Sequence, residues 1–152
     1  MGKTRLAFLS VFIAAVMVFT NPIFLFDSKI NEDLIPYWNR EIETIRSTCT
    51  KGISLPTNIV VDFGDTDDAI GYCQRYSNGF EIIINKDFWN KKLDDLGKRQ
   101  LLLHEMCHCL FHVKHNENNP RHFMYPEYTK IDQMSLLTQL EETLKSSSKC
   151  QF

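Results

Sequence analysis

The sequence predicts an α+β domain, and three observations carry that expectation. A β-branched run, Phe80-Glu81-Ile82-Ile83-Ile84-Asn85, reads as a strand. A leucine-rich stretch comes after it, holds His104-Glu105-Met106-Cys107-His108 and reads as a buried helix. Near the C-terminus Ile131, Met134, Leu137, Leu140 and Leu144 recur at helical spacing. The order of elements, a helix, two to four strands, the histidine-bearing helix, a loop and a last helix, reads as α+β.

The chain has 152 residues, room for one domain. Its first 26 residues stand apart. Lys3 and Arg5 precede a run at 6–26 that has no charged residue and is interrupted only by Ser10, Thr20, Asn21 and Pro22. Such a run suits a transmembrane anchor or a signal peptide, with a buried core helix as the remaining alternative. The run has no convincing small-x-small cleavage site. Anchor and signal both leave the positive N-terminus in the cytoplasm and export the rest of the chain. The division expected is therefore residues 1–26 as signal peptide or anchor and 27–152 as the working domain, at the cell surface or in the periplasm. Without Lys3 and Arg5, the only charges of residues 1–26, 15 basic residues face 19 acidic ones. That balance gives no reason to expect nucleic-acid binding, which usually shows a basic stripe.

Past the apolar run, Asn31 or Asp33 can cap a helix reaching about Arg46, with Leu34, Tyr37, Trp38, Ile42 and Ile45 as its buried stripe. Gly52 and Pro56 punctuate the chain before a strand at 58–63. The acidic stretch 64–68 reads as a solvated turn, since the spacing of a calcium loop is missing. A second short strand is expected at 69–75, a hairpin at Ser77-Asn78-Gly79, and the strand 80–85 after it. A helical turn then leads to the long helix, which starts near Asp94 or Asp95. Asn116-Glu117-Asn118-Asn119-Pro120 is a loop, and the last helix spans about 130–145.

Five cysteines lie beyond the apolar run: Cys49, Cys73, Cys107, Cys109 and Cys150. Export makes disulfides plausible, and the odd count leaves at least one thiol over. Cys107 and Cys109 point to different sides of one helix and cannot pair. Cys73 with Cys109 and Cys49 with Cys150 are favoured, although connectivity cannot be deduced from sequence.

All five histidines fall between His104 and His122. His104 and His108 are four residues apart, about 40° around a helix, so their imidazoles share one face. Two histidines so placed can hold one Zn²⁺, with Glu105 as general base toward a water that the metal activates. Leu101, Leu102, Leu103, Leu110 and Phe111 cover most of the remaining girth, as expected of a buried helix carrying a site on one narrow polar stripe. A catalytic zinc usually takes three protein ligands. The third could be His115, His112 or Glu127. His112 lies a further turn along the helix, too far to share the metal, and reads as a rim residue near substrate. Glu127 is on no convincing helix. A residue arriving after the helix has ended, such as His115, can curl back.

The segment from His104 through His115 resembles the extended zinc motif of metzincin metallopeptidases. It is closer still to small metzincin-like metallopeptidases of bacteria and phages that read HELGHC, with a histidine seven residues after the second. Arg121-His122-Phe123-Met124-Tyr125-Pro126 resembles the methionine-containing turn of that family, and the likeness spans about residues 59–128. It implies a minimal domain with a small mixed sheet, an active-site helix, a Met-turn and a C-terminal helix. It also implies His104, His108 and His115 as zinc ligands, Glu105 as the catalytic base and Met124 as a floor beneath the metal. Tyr125 or Tyr128 is a candidate oxyanion donor, and the strand at 80–85 is expected to pair with an extended substrate. Two departures stand out. Standard members place a glycine between the second and third ligands, whereas this chain has no glycine from 98 onward and its third histidine comes one residue later. Asn116 is the candidate for the left-handed residue that the missing glycine would supply. Cys107 also stands where a small residue is usual.

These residues lead to the expectation of a monomeric zinc endopeptidase acting on polypeptides, tethered to the membrane if the N-terminal segment is kept. A zinc-stabilised binding module without activity, or a zinc amide hydrolase acting on cell-wall peptides, are the alternatives.

Overall fold

The computed structural model describes residues 28–50 and 52–150. The apolar run at 6–26 lies outside them, and among the described residues no helix is long and apolar enough to cross a membrane. The described residues form four helices and one four-stranded mixed sheet, an α+β arrangement. In chain order these are β1 (Lys29–Ile30), α1 (Ile35–Thr48), β2 (Asn58–Gly64), β3 (Gly71–Arg75), β4 (Gly79–Asn85), α2 (Lys86–Lys92), α3 (Asp95–Phe111) and α4 (Gln133–Lys145).

The strand order is β1-β2-β4-β3. β2 runs parallel to β4 in the register Asn58↔Gly79 through Gly64↔Asn85. β3 is the antiparallel edge strand, with Gly71 opposite Ile84, Cys73 opposite Ile82 and Arg75 opposite Phe80. The two-residue strand β1, parallel to β2, carries no sequence signal because it is too short to show a period. The hairpin closes with the Tyr76 amide donating to the Gly79 carbonyl at 2.8 Å. Gly79 is required for space: a Cβ there would stand 1.9 Å from the Asn58 carbonyl oxygen on the neighbouring strand.

The sheet's inner face, with Phe80, Ile82 and Ile84, packs against α1 and α3 in one core. Ile59, Val61, Trp38, Ile42, Ile45, Leu102 and Leu103 complete its centre. The start of α1 differs from expectation. Neither Asn31 nor Asp33 is its cap; the Asn31 carbonyl accepts from Leu34 and Ile35, and its side chain accepts from the Asp33 amide. Pro36 in the first turn has no amide N–H and so needs no acceptor, and the helix begins without a side-chain cap. α2 begins at Asn85, whose side chain accepts from the Phe88 amide, and α3 at Asp94, which accepts from Gly97.

α1 and α3 are joined through the core boundary by an ion pair. Arg99 Nε donates to Glu41 Oε1 at 2.7 Å and its second nitrogen to Oε2 at 3.2 Å, with Glu41 fully buried. Disulfides link Cys49 to Cys150 and Cys73 to Cys109, leaving Cys107 as a free, buried thiol. In α4 the buried residues are Leu136, Leu140 and Leu144, a four-residue repeat, while Met134 is 74% exposed. The helix starts at Gln133, capped by Asp132, later than the periodicity predicts. Met134 therefore falls in the first turn and points to solvent.

Candidate metal centre

α3 is the spine of the site. Its girth is buried almost throughout, and His104 and Glu105 are among its few buried polar residues. The helix ends at Phe111, and His112 takes the left-handed conformation (φ 59°, ψ 29°). The left-handed residue is therefore His112 and not Asn116. This is the position at which a glycine's freedom would serve, and histidine is among the side chains that tolerate it better than most. The reversal sends the chain back so that His115 meets the face carrying His104 and His108.

The Nε2 atoms of His104 and His108 lie 3.0 Å apart, and those of His104 and His115 lie 3.3 Å apart. All three histidines offer ligand atoms within 4.8 Å of one another, a group able to hold a metal ion. Donors at Zn–N distances of about 2.1 Å around a tetrahedral ion stand ~3.4 Å apart, so the set fits such an ion with little adjustment. His104 Nδ1 bonds the Phe123 carbonyl at 2.7 Å and His108 Nδ1 bonds the Val113 carbonyl at 2.6 Å. Each Nδ1 is thus the donor, which fixes the tautomer and leaves Nε2 free to bind.

The turn at 121–126 orients both sides of the group. Phe123 holds His104, while the Met124 carbonyl accepts from Asn116, the residue after His115, at 2.8 Å. Met124 is fully buried, and its amide donates to His122 Nδ1 at 3.0 Å. The carbonyls of Phe123 and Val113 were beyond reach of sequence reasoning, because a backbone acceptor leaves no mark on residue type.

Burial pushes the His104 imidazole down to about 4, against a partial upward pull from its bond to Phe123. His108 is lowered by burial first and then by the charges of His115 and Arg75. Both rings are held neutral near pH 7, the form that binds metal. Burial raises the Glu105 carboxyl to about 8 and pushes the Cys107 thiol up strongly.

The three histidines and Glu105 line a cleft of about 600 Å³, together with Gly71 and Tyr125. Tyr128 and Glu127 also line it, but Glu127 is not part of the metal-holding group. Nor is His112. It is exposed, bonds Lys149 Nζ through Nε2 at 2.8 Å, and lines a separate, larger groove rather than the rim of the cleft. The expected pairing of substrate with the strand at 80–85 fails for a topological reason. β4 is hydrogen-bonded by β2 on one side and β3 on the other and has no free edge. The edge belongs to β3, whose Gly71, Tyr72 and Cys73 line the cleft.

No protein-family model, no curated protein and no solved structure matches this chain.

Proposed function

We propose that the chain is a zinc-dependent endopeptidase of the metzincin-like kind, with His104, His108 and His115 as metal ligands and Glu105 as general base. The observation that carries this reading is the convergence of three imidazole Nε2 atoms at a cleft also lined by buried Glu105, which shares α3 with His104 and His108. Three nitrogen donors, rather than four, are the usual protein set of a catalytic zinc. When bound, such an ion supplies Lewis-acid polarisation of a carbonyl and makes water acidic near neutral pH.

The protein's own residues do the rest. The Phe123 and Val113 carbonyls hold two imidazoles in the binding tautomer. Glu105 takes a proton from the attacking water at its carboxylate and gives it to the leaving amine nitrogen. In the metal-free protein burial raises that carboxyl to about 8; a cation held by the three imidazoles would lower it toward the ionised form that a base needs. Met124 is fully buried and its carbonyl ties the turn to Asn116 beside His115, and Tyr125, which lines the cleft, is the candidate oxyanion donor. An extended polypeptide can add to the free edge of β3, supplying main-chain hydrogen bonds beside the histidines. The two disulfides support work outside the cytoplasm, where such bonds persist.

A zinc-stabilised module without activity accounts less well for Glu105, since an inert site has no use for a carboxyl held at a cost in the cleft. The test is metal analysis of the purified protein with digestion of a peptide library, compared with Glu105→Gln. The variant is expected to keep stoichiometric zinc and lose turnover. Cleavage by Glu105→Gln at the wild-type rate would sink the mechanism.

A further inference from the structure

A second groove, about 1270 Å³, adjoins the histidine cleft. The two meet at the Cys73–Cys109 disulfide: Cys73 lines the cleft and Cys109 lines the groove. Alternation along β3 explains what the groove contains. Gly71, Cys73 and Arg75 share the sheet face turned toward α3, because they lie opposite Ile84, Ile82 and Phe80. A Cβ on Gly71 would lie 3.3 Å from a Glu105 carboxyl oxygen, and Cys73 is bonded to α3 at Cys109. Arg75 therefore lies past the metal ligands, beside the end of the helix, where it lines the groove with His112 and Lys149.

No Asp or Glu is among the described residues lining this groove, although acidic residues outnumber basic ones in the chain. Its floor is apolar, with Leu55, Phe80, Leu110 and Phe111. Both cations sit on backbone that is covalently tied. Arg75 is two residues from one disulfide and Lys149 is next to the other, and Lys149 is bonded to His112.

We propose that this groove is a specificity subsite for acidic side chains of the polypeptide substrate, with Arg75 and Lys149 as the residues that select them. The proposal rests on the peptidase reading and deepens it. A substrate extended along β3 advances about 3.3 Å per residue, so the stretch from Gly71 and Cys73 to Arg75 puts the selected side chain ~2–4 residues from the scissile bond. The apolar floor takes the methylenes of that side chain while its carboxylate meets the two cations.

The test uses matched peptides that differ only in Glu or Lys, scanned along both sides of the cleaved bond. Wild-type enzyme is expected to prefer the Glu member by about tenfold at one of these positions, the scale of two ion pairs acting together. The double charge reversal Arg75→Glu with Lys149→Glu is expected to invert the preference. An unchanged preference in that variant, folded and metal-loaded, overturns the proposal. A second arm needs no catalysis: a fluorescein-labelled glutamate-rich peptide is titrated onto metal-free protein. Binding that weakens with added salt and falls about tenfold in the double variant supports the subsite; equal binding by both proteins overturns it. If wild-type protein cleaves no peptide at all, the peptidase reading fails, and the binding arm still decides the groove.

Discussion

His104 Nε2 faces His115 Nε2 at 3.3 Å across a helix end that turns back through the left-handed His112. His115 is the exposed member of the group and His104 the buried one, so the third donor is brought in by a loop to a site that the helix has already prepared. Replacing His115 by Ala should leave α3 intact and lower zinc affinity by more than about 100-fold, since losing even an outer-shell partner of a metal ligand typically costs ~10–100-fold. His112→Ala should keep the metal. Competition with a chromogenic chelator measures both, and equal affinities for the two variants would remove His115 from the ligand set.

Glu105 predicts an unusual dependence of stability on pH in the metal-free protein. Its carboxyl is raised from 4.5 to about 8 by burial. Between those values the unfolded chain has released the proton and the folded chain still holds it. The unfolded state therefore binds fewer protons, and stability falls as pH rises from about 4.5 to 8, by up to ~5 kcal/mol for the full shift. Glu105→Gln removes that slope. In the presence of chelator, the variant's advantage in urea midpoint over wild type should grow from pH 5 to pH 8. A constant difference across that range would show that the carboxyl is not held protonated.

His104 works in the opposite direction. Its imidazole is lowered from 6.5 to about 4, so below 6.5 the unfolded chain takes up a proton that the folded chain refuses. Stability that is present above 6.5 is lost as pH falls toward 4, by up to about 3 kcal/mol. Chelated wild-type protein should lose urea resistance over this window, and His104→Gln should lose markedly less. Parallel curves for the two proteins would refute the assignment.

Much of this site could be read from the sequence because its central residues obey a local rule: positions i and i+4 of one helix share a face, and His104 and His108 needed nothing else. The pairing of Cys73 with Cys109 came within reach because the strand and the helix that carry them are close neighbours in the chain. What escaped depends on contacts between distant segments. Which strand is the edge is settled by β2 pairing with β4 across the intervening β3, and the hydrophobic pattern of β4 alone does not show it. The left-handed residue is His112 although propensity favours Asn116, because the return of His115 to its partners fixes the reversal earlier. Met134 illustrates a phase error: a helix beginning three residues later than expected turns an expected core side chain into a solvent-facing one.

The Glu41–Arg99 pair, formed from two different helices, holds α1 against α3. Glu41 is fully buried and Arg99 nearly so. Removing one partner strands the other charge away from water, so Glu41→Leu should destabilise the fold by about 3–5 kcal/mol. Glu41→Leu combined with Arg99→Met should recover much of that loss, because apolar side chains of similar volume carry no desolvation penalty. Denaturant unfolding of the three proteins checks this, and a double variant as unstable as the single one would mean that the pair does more than cancel its own burial.

Cys73 and Cys109 tie the edge strand to the helix that carries His104 and His108, two of the three histidines able to hold a metal. Among the described residues β3 has one strand neighbour, and this bond adds a covalent tie to α3. The bridge spans 36 residues, for which the loop-entropy relation gives about 3–4 kcal/mol. Cys73→Ser with Cys109→Ser should lower overall stability by a comparable amount. More tellingly, the backbone amides of 71–75 should exchange with solvent faster while those of α3 remain protected, since the helix is held by its own core. Zinc binding should survive, because none of its three donors lies on β3. If peptide cleavage fell sharply in this variant while zinc affinity held, the edge strand would be the element that binds substrate. Uniformly faster exchange across 71–75 and α3 alike would instead mean that strand and helix unfold as one unit and that the bridge has no local role.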